Sequence, residues 1–207
     1  MDDVSIYEIP DVSSVGEFFQ ETYTQLADSG DYTPDPDTSA IHLDDYGVDI
    51  TPDGEVFATY DDLRDFLQDT ELTGGTPSDN YAVEAHHLLT TDFMGHFGLD
   101  SGDVPAVGID RFDEDNLQNS HQFYTDQIAK ALETSQFFDV DEIYDAHAVI
   151  YEQNGHAEWA DRALDYIADH RDELIGLYER GEIPGANEPD YDDRADRVIE
   201  WLNSIHR

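Results

Sequence analysis

Acidic side chains outnumber basic ones by 50 to 9 in this chain, for a formal net charge of -41. Whatever it folds into must carry acid on every side. The excess is not a tail: residues 1–77 hold 20 acids and 1 base, residues 78–135 hold 11 and 2, and residues 136–207 hold 19 and 6. An interaction tail would gather the charge in one block, and an acidic mimic of nucleic acid would order it on one face. Charge spread over three segments instead describes a solvent. At ordinary ionic strength such a surface repels itself, whereas at molar salt the Debye length falls to about 3 Å and the repulsion is screened. The composition is that of a protein in a salt-filled cytoplasm, as in extremely halophilic archaea or their viruses.

Despite its charge the chain can build a core. Hydrophobic residues make up 39% and aromatics 12% of 207 residues, enough for one or two domains. No apolar run approaches the roughly 18 residues of a membrane span. The first residues, MDDVSIYEIP, place two acids where a signal peptide needs a basic end and an apolar stretch. The expected location is the cytoplasm of a high-salt cell or a virion, with no membrane partner. The absence of cysteine excludes disulfides, thiolate nucleophiles and thiolate metal sites.

The pattern along the chain predicts an α+β fold, predominantly helical, in three parts. Residues 1–77 read as a helix and hairpin module. Ser13 or Ser14, with Glu17, opens a helix that Gly30 stops. The prolines of Asp31–Ser39 make that stretch a loop. Pro52-Asp53-Gly54 turns YGVDI back onto EVFATY as a hairpin, and a short helix buries Leu63, Phe66 and Leu67. Gly74-Gly75-Thr76-Pro77-Ser78 is the best boundary.

Residues 78–135 then read as strand (NYAVEAHHLL), glycine-punctuated loop, strand (Val104–Ile109, with its proline at the tolerated first position) and helix (Asp115–Thr134). Residues 136–207 read as a helical cap, either separate from that core or continuous with it. Its helices run from Asp139 or Asp141 to Asn154, from about Ala157 to Arg180, and from about Tyr191 to Ile205.

Of nine histidines, His42, His147, His156, His170 and His206 stand alone, the usual pattern of surface or half-buried residues, and His96 lies in the glycine-rich loop. His86 and His87 are different. Neighbours on a strand point to opposite faces, so one can meet a metal while the other meets substrate or supports the fold. The following helix opens DNLQNSH, which brings Asn and His toward the same end. Neutral imidazole accepts a proton from water near pH 7, and a divalent cation offsets the charge of a scissile phosphate. The close acid pairs, such as Asp44-Asp45 and Asp192-Asp193, read as solvated faces. The glycines of the loop lack the spacing of a phosphate-binding loop.

AHHLL, the spaced PAVGI strand and the helix carrying Asn116, Asn119, His121 and Tyr124 resemble the His-Me finger (HNH/endonuclease VII-type) nuclease domains of polymorphic toxins, in the subgroup marked by Ala-His-His. The resemblance covers roughly residues 78–135. It implies a ββα-metal core, Mg²⁺ or another divalent cation, and hydrolysis of phosphodiester bonds in DNA or RNA by a toxin or viral effector. It makes His87 the general base, His86 a metal ligand or its support, and His121 a second ligand. Asn116 or Asn119 would orient the base or complete the metal shell. It implies nucleic acid and an immunity protein as partners. The helix has one His where several members have two, and only Arg111 and Lys130 supply positive charge nearby. Affinity in molar salt would then rest on the cation and on stacking by aromatics such as Phe93, Phe97, Phe112 or Tyr124. The competing expectation is a non-enzymatic structural or assembly protein of a virion or secretion apparatus, with these histidines as packing or surface residues and a large apolar surface patch.

Overall fold

The computed structural model describes residues 31–32, 41–42, 46–51, 55–69, 83–90, 94–110, 120–132 and 138–205. The helix expected over 13–30, the glycine-rich boundary at 74–78 and the start of the helix expected from Asp115 lie outside them. Within the described residues the chain is α+β and predominantly helical, as its periodicities predict.

The Pro-Asp-Gly hairpin forms. Strands β3 (Asp49–Ile50) and β4 (Val56–Thr59) pair antiparallel, Ile50 opposite Val56. Ahead of them β1 (Asp31–Tyr32) pairs with β2 (Ile41–His42). The stretch from Asp31 is therefore not wholly a loop: its first two residues pair as a strand, and its prolines lie outside the described residues.

Helix α1 (Tyr60–Asp69) follows β4 directly and buries Leu63, Phe66 and Leu67. Strands β5 (Val83–His87) and β6 (Pro105–Asp110) are antiparallel, His86 opposite Val107 and His87 opposite Ala106. β6 also pairs with β4, Phe57 opposite Val107, giving one sheet in the order β3-β4-β6-β5. The hairpin from the first 77 residues thus shares a sheet with the expected ββα core. Pro105 opens β6, and its carbonyl still accepts from Leu88 N at 2.8 Å.

The two-residue period of the strands divides the side chains between two layers. Val56, Val83 and Ala106 face α1, packing with Ile50, Leu63, Phe66 and Leu67. Phe57, Val107 and Ile109 face the helical layer. That layer consists of α2 (His121–Leu132), α3 (Val140–Gln153), α4 (Ala157–Asp169), α5 (Arg171–Arg180) and α6 (Tyr191–Ser204). The expected continuous helix from Ala157 to Arg180 is in fact two. His170 Nδ1–H donates to the Tyr166 carbonyl at 2.9 Å while its backbone N–H is shared between the Tyr166 and Ile167 carbonyls. That side-chain bond tightens the last turn of α4. The chain restarts with the His170 carbonyl accepting from Leu174 N and with Asp172 and Glu173 in the first turn of α5, where acid suits the helix dipole. Gly181, at φ +64°, ends α5 in the left-handed conformation.

Asp139 anchors the helical layer. It forms a capping box with Glu142 at the start of α3. Its carboxylate, 1% exposed, accepts from Arg194 Nε (3.0 Å) and Nη2 (2.8 Å), from Arg197 Nη2 (2.7 Å) and from the Tyr178 hydroxyl (3.3 Å). Every lone pair of this buried carboxylate is engaged, as a buried charge requires.

Candidate functional site

The alternation of β5 places Glu84 and His86 toward the helical layer, and Val83, Ala85 and His87 toward α1. On the helical side His86 is 4% exposed. Its ring lies edge-on to His121 with centroids 5.1 Å apart, and Tyr124, Tyr151 and Trp159 enclose it at 5.7, 6.2 and 6.3 Å. His86 Nε2 is 3.2 Å from the Tyr151 hydroxyl. Burial, with the nearby charges of His121, His147 and His87, holds the His86 pKa well below the usual imidazole value, so the ring is neutral at neutral pH. His121, at the start of α2, sets Nδ1 3.5 Å from Glu84 Oε2.

On the other face His87 stacks on Tyr60, centroids 3.6 Å apart and planes at 16°. Burial pushes its pKa down to about 4; a hydrogen bond to the Ser101 backbone opposes that, and the charge of His121 adds to it. Nε2 is buried and has no hydrogen-bond partner, so the Ser101 carbonyl is served by Nδ1–H. His87 is thus a neutral imidazole in one tautomer, its Nε2 lone pair unused.

His86 and His121 are brought together, and His87 lies across the sheet within electrostatic reach of His121. Asn116 and Asn119 lie outside the described residues. Two imidazoles bound about 2 Å from one ion at a tetrahedral angle would hold their ring centres roughly 5 Å apart. The His86–His121 spacing fits that. Among the described residues no group of three or more His, Asp and Glu side chains is arranged to hold a metal ion.

The aromatics expected to stack on bases require correction. Tyr124 is fully buried and Phe97 is 2% exposed against Tyr178; both belong to the core, because α2 and the Gly95–Phe97 turn press them onto the sheet. Phe93 and Phe112 lie outside the described residues. Of the lone histidines, His147 is buried rather than on the surface. Thr90 N–H and Oγ1–H donate to its Nε2 at 3.0 and 2.8 Å, and its Nδ1–H donates to the Ile143 carbonyl at 2.7 Å. His156 Nδ1–H and Trp159 Nε1–H both donate to Glu55 Oε1, at 3.1 and 2.9 Å. Burial raises the Glu55 pKa, but these bonds outweigh it and hold the carboxyl below its usual range.

Two contributors stand outside the sequence expectations. Tyr151 lies 65 residues from His86, beyond any local pattern. Glu84 carried a signal, since it stands two residues before His86 on the same face of a strand. Among the described residues Val149, at 51%, is the exposed large hydrophobic, and no helix is long and apolar enough to cross a membrane. No protein-family model matches the chain, and no curated protein or solved structure matches it.

Proposed function

We propose that the protein is a divalent-cation-dependent phosphodiesterase acting on nucleic acid in molar salt. One observation carries the reading: the β5–β6–α2 order sets the imidazoles of His86 and His121 edge-on at 5.1 Å, while the adjacent His87, on the opposite face of β5, is neutral with an Nε2 lone pair that has no partner.

His86 and His121 would hold the cation, Mg²⁺ or another divalent ion, and when bound it would offset charge on the scissile phosphate. The remaining roles belong to the chain. His87 Nδ1–H is fixed by the Ser101 carbonyl, which aims the Nε2 lone pair. In that role Nε2 would take the proton from the attacking water as the new P–O bond forms and the ester P–O bond breaks, once water reaches this buried atom. Tyr60, stacked on the ring, holds its plane. Arg64, one turn along α1, lies over Tyr60 at 5.9 Å and pairs with Asp61 at 3.1 Å, which puts a cation on this face. With so little positive charge, binding would lean on the metal and on direct hydrogen bonds rather than on counterion release, which molar salt suppresses.

The full chain, incubated in molar KCl with Mg²⁺ or Mn²⁺ and either plasmid or total RNA, tests this. Cleavage is expected, with His87→Ala slower by about 100-fold or more. No cleavage by the native chain, or equal cleavage by the variant, removes the reading.

A further inference from the structure

The glycine-punctuated loop before β6 ends in the turn Asp100–Val104, and carbonyls of this turn hold both His87 and the start of α1. The Ser101 carbonyl takes the His87 Nδ1–H. The Gly102 carbonyl accepts from Asp61 N at 3.1 Å, and the Val104 carbonyl from Tyr60 N at 2.9 Å. Those two N–H groups lie in the first turn of α1, where no earlier helical carbonyl exists to receive them. One turn thus fixes His87 and the Tyr60 ring stacked on it. It comes this close because position 102 is glycine: a Cβ there would stand 2.8 Å from Asp61 Cγ and nearer still to Oδ2. Within the turn, Asp100 Oδ1 accepts from Gly102 N at 2.9 Å, an Asx turn in which the side chain fixes the backbone two residues on. The Gly102 N–H and the Ser101 carbonyl are opposite ends of one planar trans peptide. Holding the N–H therefore sets where the carbonyl points.

We infer that Asp100 is a positioning residue for His87: its carboxylate holds the Ser101–Gly102 peptide with the carbonyl turned to Nδ1–H, which leaves Nε2 as the bare nitrogen. This rests on the reading above in which His87 accepts a proton, and adds to it a residue that touches neither His87 nor the reacting atoms. A neutral imidazole can carry its proton on either nitrogen, and the hydrogen bond that one of them makes decides which. A carboxylate on the peptide N–H also polarises that peptide, so its carbonyl becomes a better acceptor for Nδ1–H. The loop whose glycines lack the spacing of a phosphate-binding loop has a different task on this geometry. It sets a tautomer.

The test compares Asp100→Ala with Asp100→Asn in the full chain in molar KCl. Both variants remove one negative charge, but only asparagine keeps an Oδ1 that can accept from Gly102 N. Asp100 is exposed, so neither variant opens a cavity. Nitrogen-15 spectra of the imidazoles report the tautomer of His87, and cleavage under the conditions above reports the rate. The native chain is expected to show His87 as Nδ1–H. Asp100→Ala is expected to lose that single tautomer and to cleave about 10-fold more slowly. Asp100→Asn is expected to keep the Nδ1–H tautomer and to recover most of that rate. A mixed or Nε2–H tautomer in the native chain, an unchanged tautomer in Asp100→Ala, or equal loss in both variants overturns the inference. The expected tautomers without cleavage by the native chain uphold the positioning and overturn the proposed function alone.

Discussion

Two regions gather the buried polar groups of this molecule, and they are built on opposite rules. Around Asp139 everything is partnered: two arginines, a tyrosine and a capping box engage one carboxylate. His147 follows the same rule, with both ring nitrogens bonded and Thr90 tied to α3. Along β5 the rule changes. His86 uses Nε2 in its described hydrogen bond, and His87 leaves Nε2 buried and unpartnered. Both kinds of histidine are neutral and dehydrated, so burial does not separate them; unused lone pairs do. Unpartnered buried atoms also occur in the helical layer, at His156 Nε2 and the Tyr166 hydroxyl; each costs about 1–3 kcal/mol, and only at His87 does one lie on β5 next to His86.

The comparison can be broken most forcefully at Asp139. Asp139→Ala strips the mostly buried Arg194 of both its hydrogen bonds to a carboxylate, and is expected to cost about 3–5 kcal/mol in denaturant unfolding. Mn²⁺ affinity of the folded fraction should stay native. Loss of cation binding in the folded fraction would merge the two regions into one.

Acid is the next lever. Burial places the His147 pKa at about 4, against an ordinary value of 6.5. The folded state keeps the ring neutral while the unfolded chain takes up a proton below pH 6.5. Stability is therefore full above that pH and falls as pH drops toward 4, by on the order of 3 kcal/mol for this residue. Unfolding at a series of pH values should show the fall, and His147→Ala should flatten it. At neutral pH that variant should cost about 2–3 kcal/mol, because it leaves the Thr90 N–H unpaired and opens a cavity, again with native Mn²⁺ affinity.

The smallest stability effect belongs to the residue with the largest expected role. His87→Phe keeps the stack on Tyr60 and removes the unpartnered Nε2 while giving up the Nδ1–H bond to the Ser101 carbonyl; the two changes oppose each other, so it should lie within about 1 kcal/mol of native stability. Cleavage should be abolished. A stability cost as large as that of His147→Ala would place His87 among the structural histidines.

Much of this architecture is legible in local pattern. Pro52-Asp53-Gly54 gives the hairpin, the spacing of Leu63, Phe66 and Leu67 gives α1, and the strand period puts His86 and His87 on opposite faces. What each histidine meets there is not legible. The partner of His87 comes from the helix before β5, and that of His86 from a helix 65 residues later in the chain. His147 reads as an isolated histidine because Thr90 is 57 residues away. The break at His170 also escaped the periodicity, since Ile167 and Leu174 continue the apolar face across it and only a side-chain bond to Tyr166 divides the helix. Tyr124 and Phe97 look like exposed aromatics in the sequence because burial is decided by the helices that close over them.

The central claim is that His86 and His121 jointly hold one divalent ion. Electron spin-echo spectroscopy of the full chain loaded with Mn²⁺ in molar KCl measures this most directly, because it detects imidazole nitrogen bound to the ion. Coupling to two imidazole nitrogens is expected, with one lost in His86→Asn and one in His121→Asn. Mn²⁺ bound without nitrogen coupling, or coupling unchanged in both variants, would contradict the account.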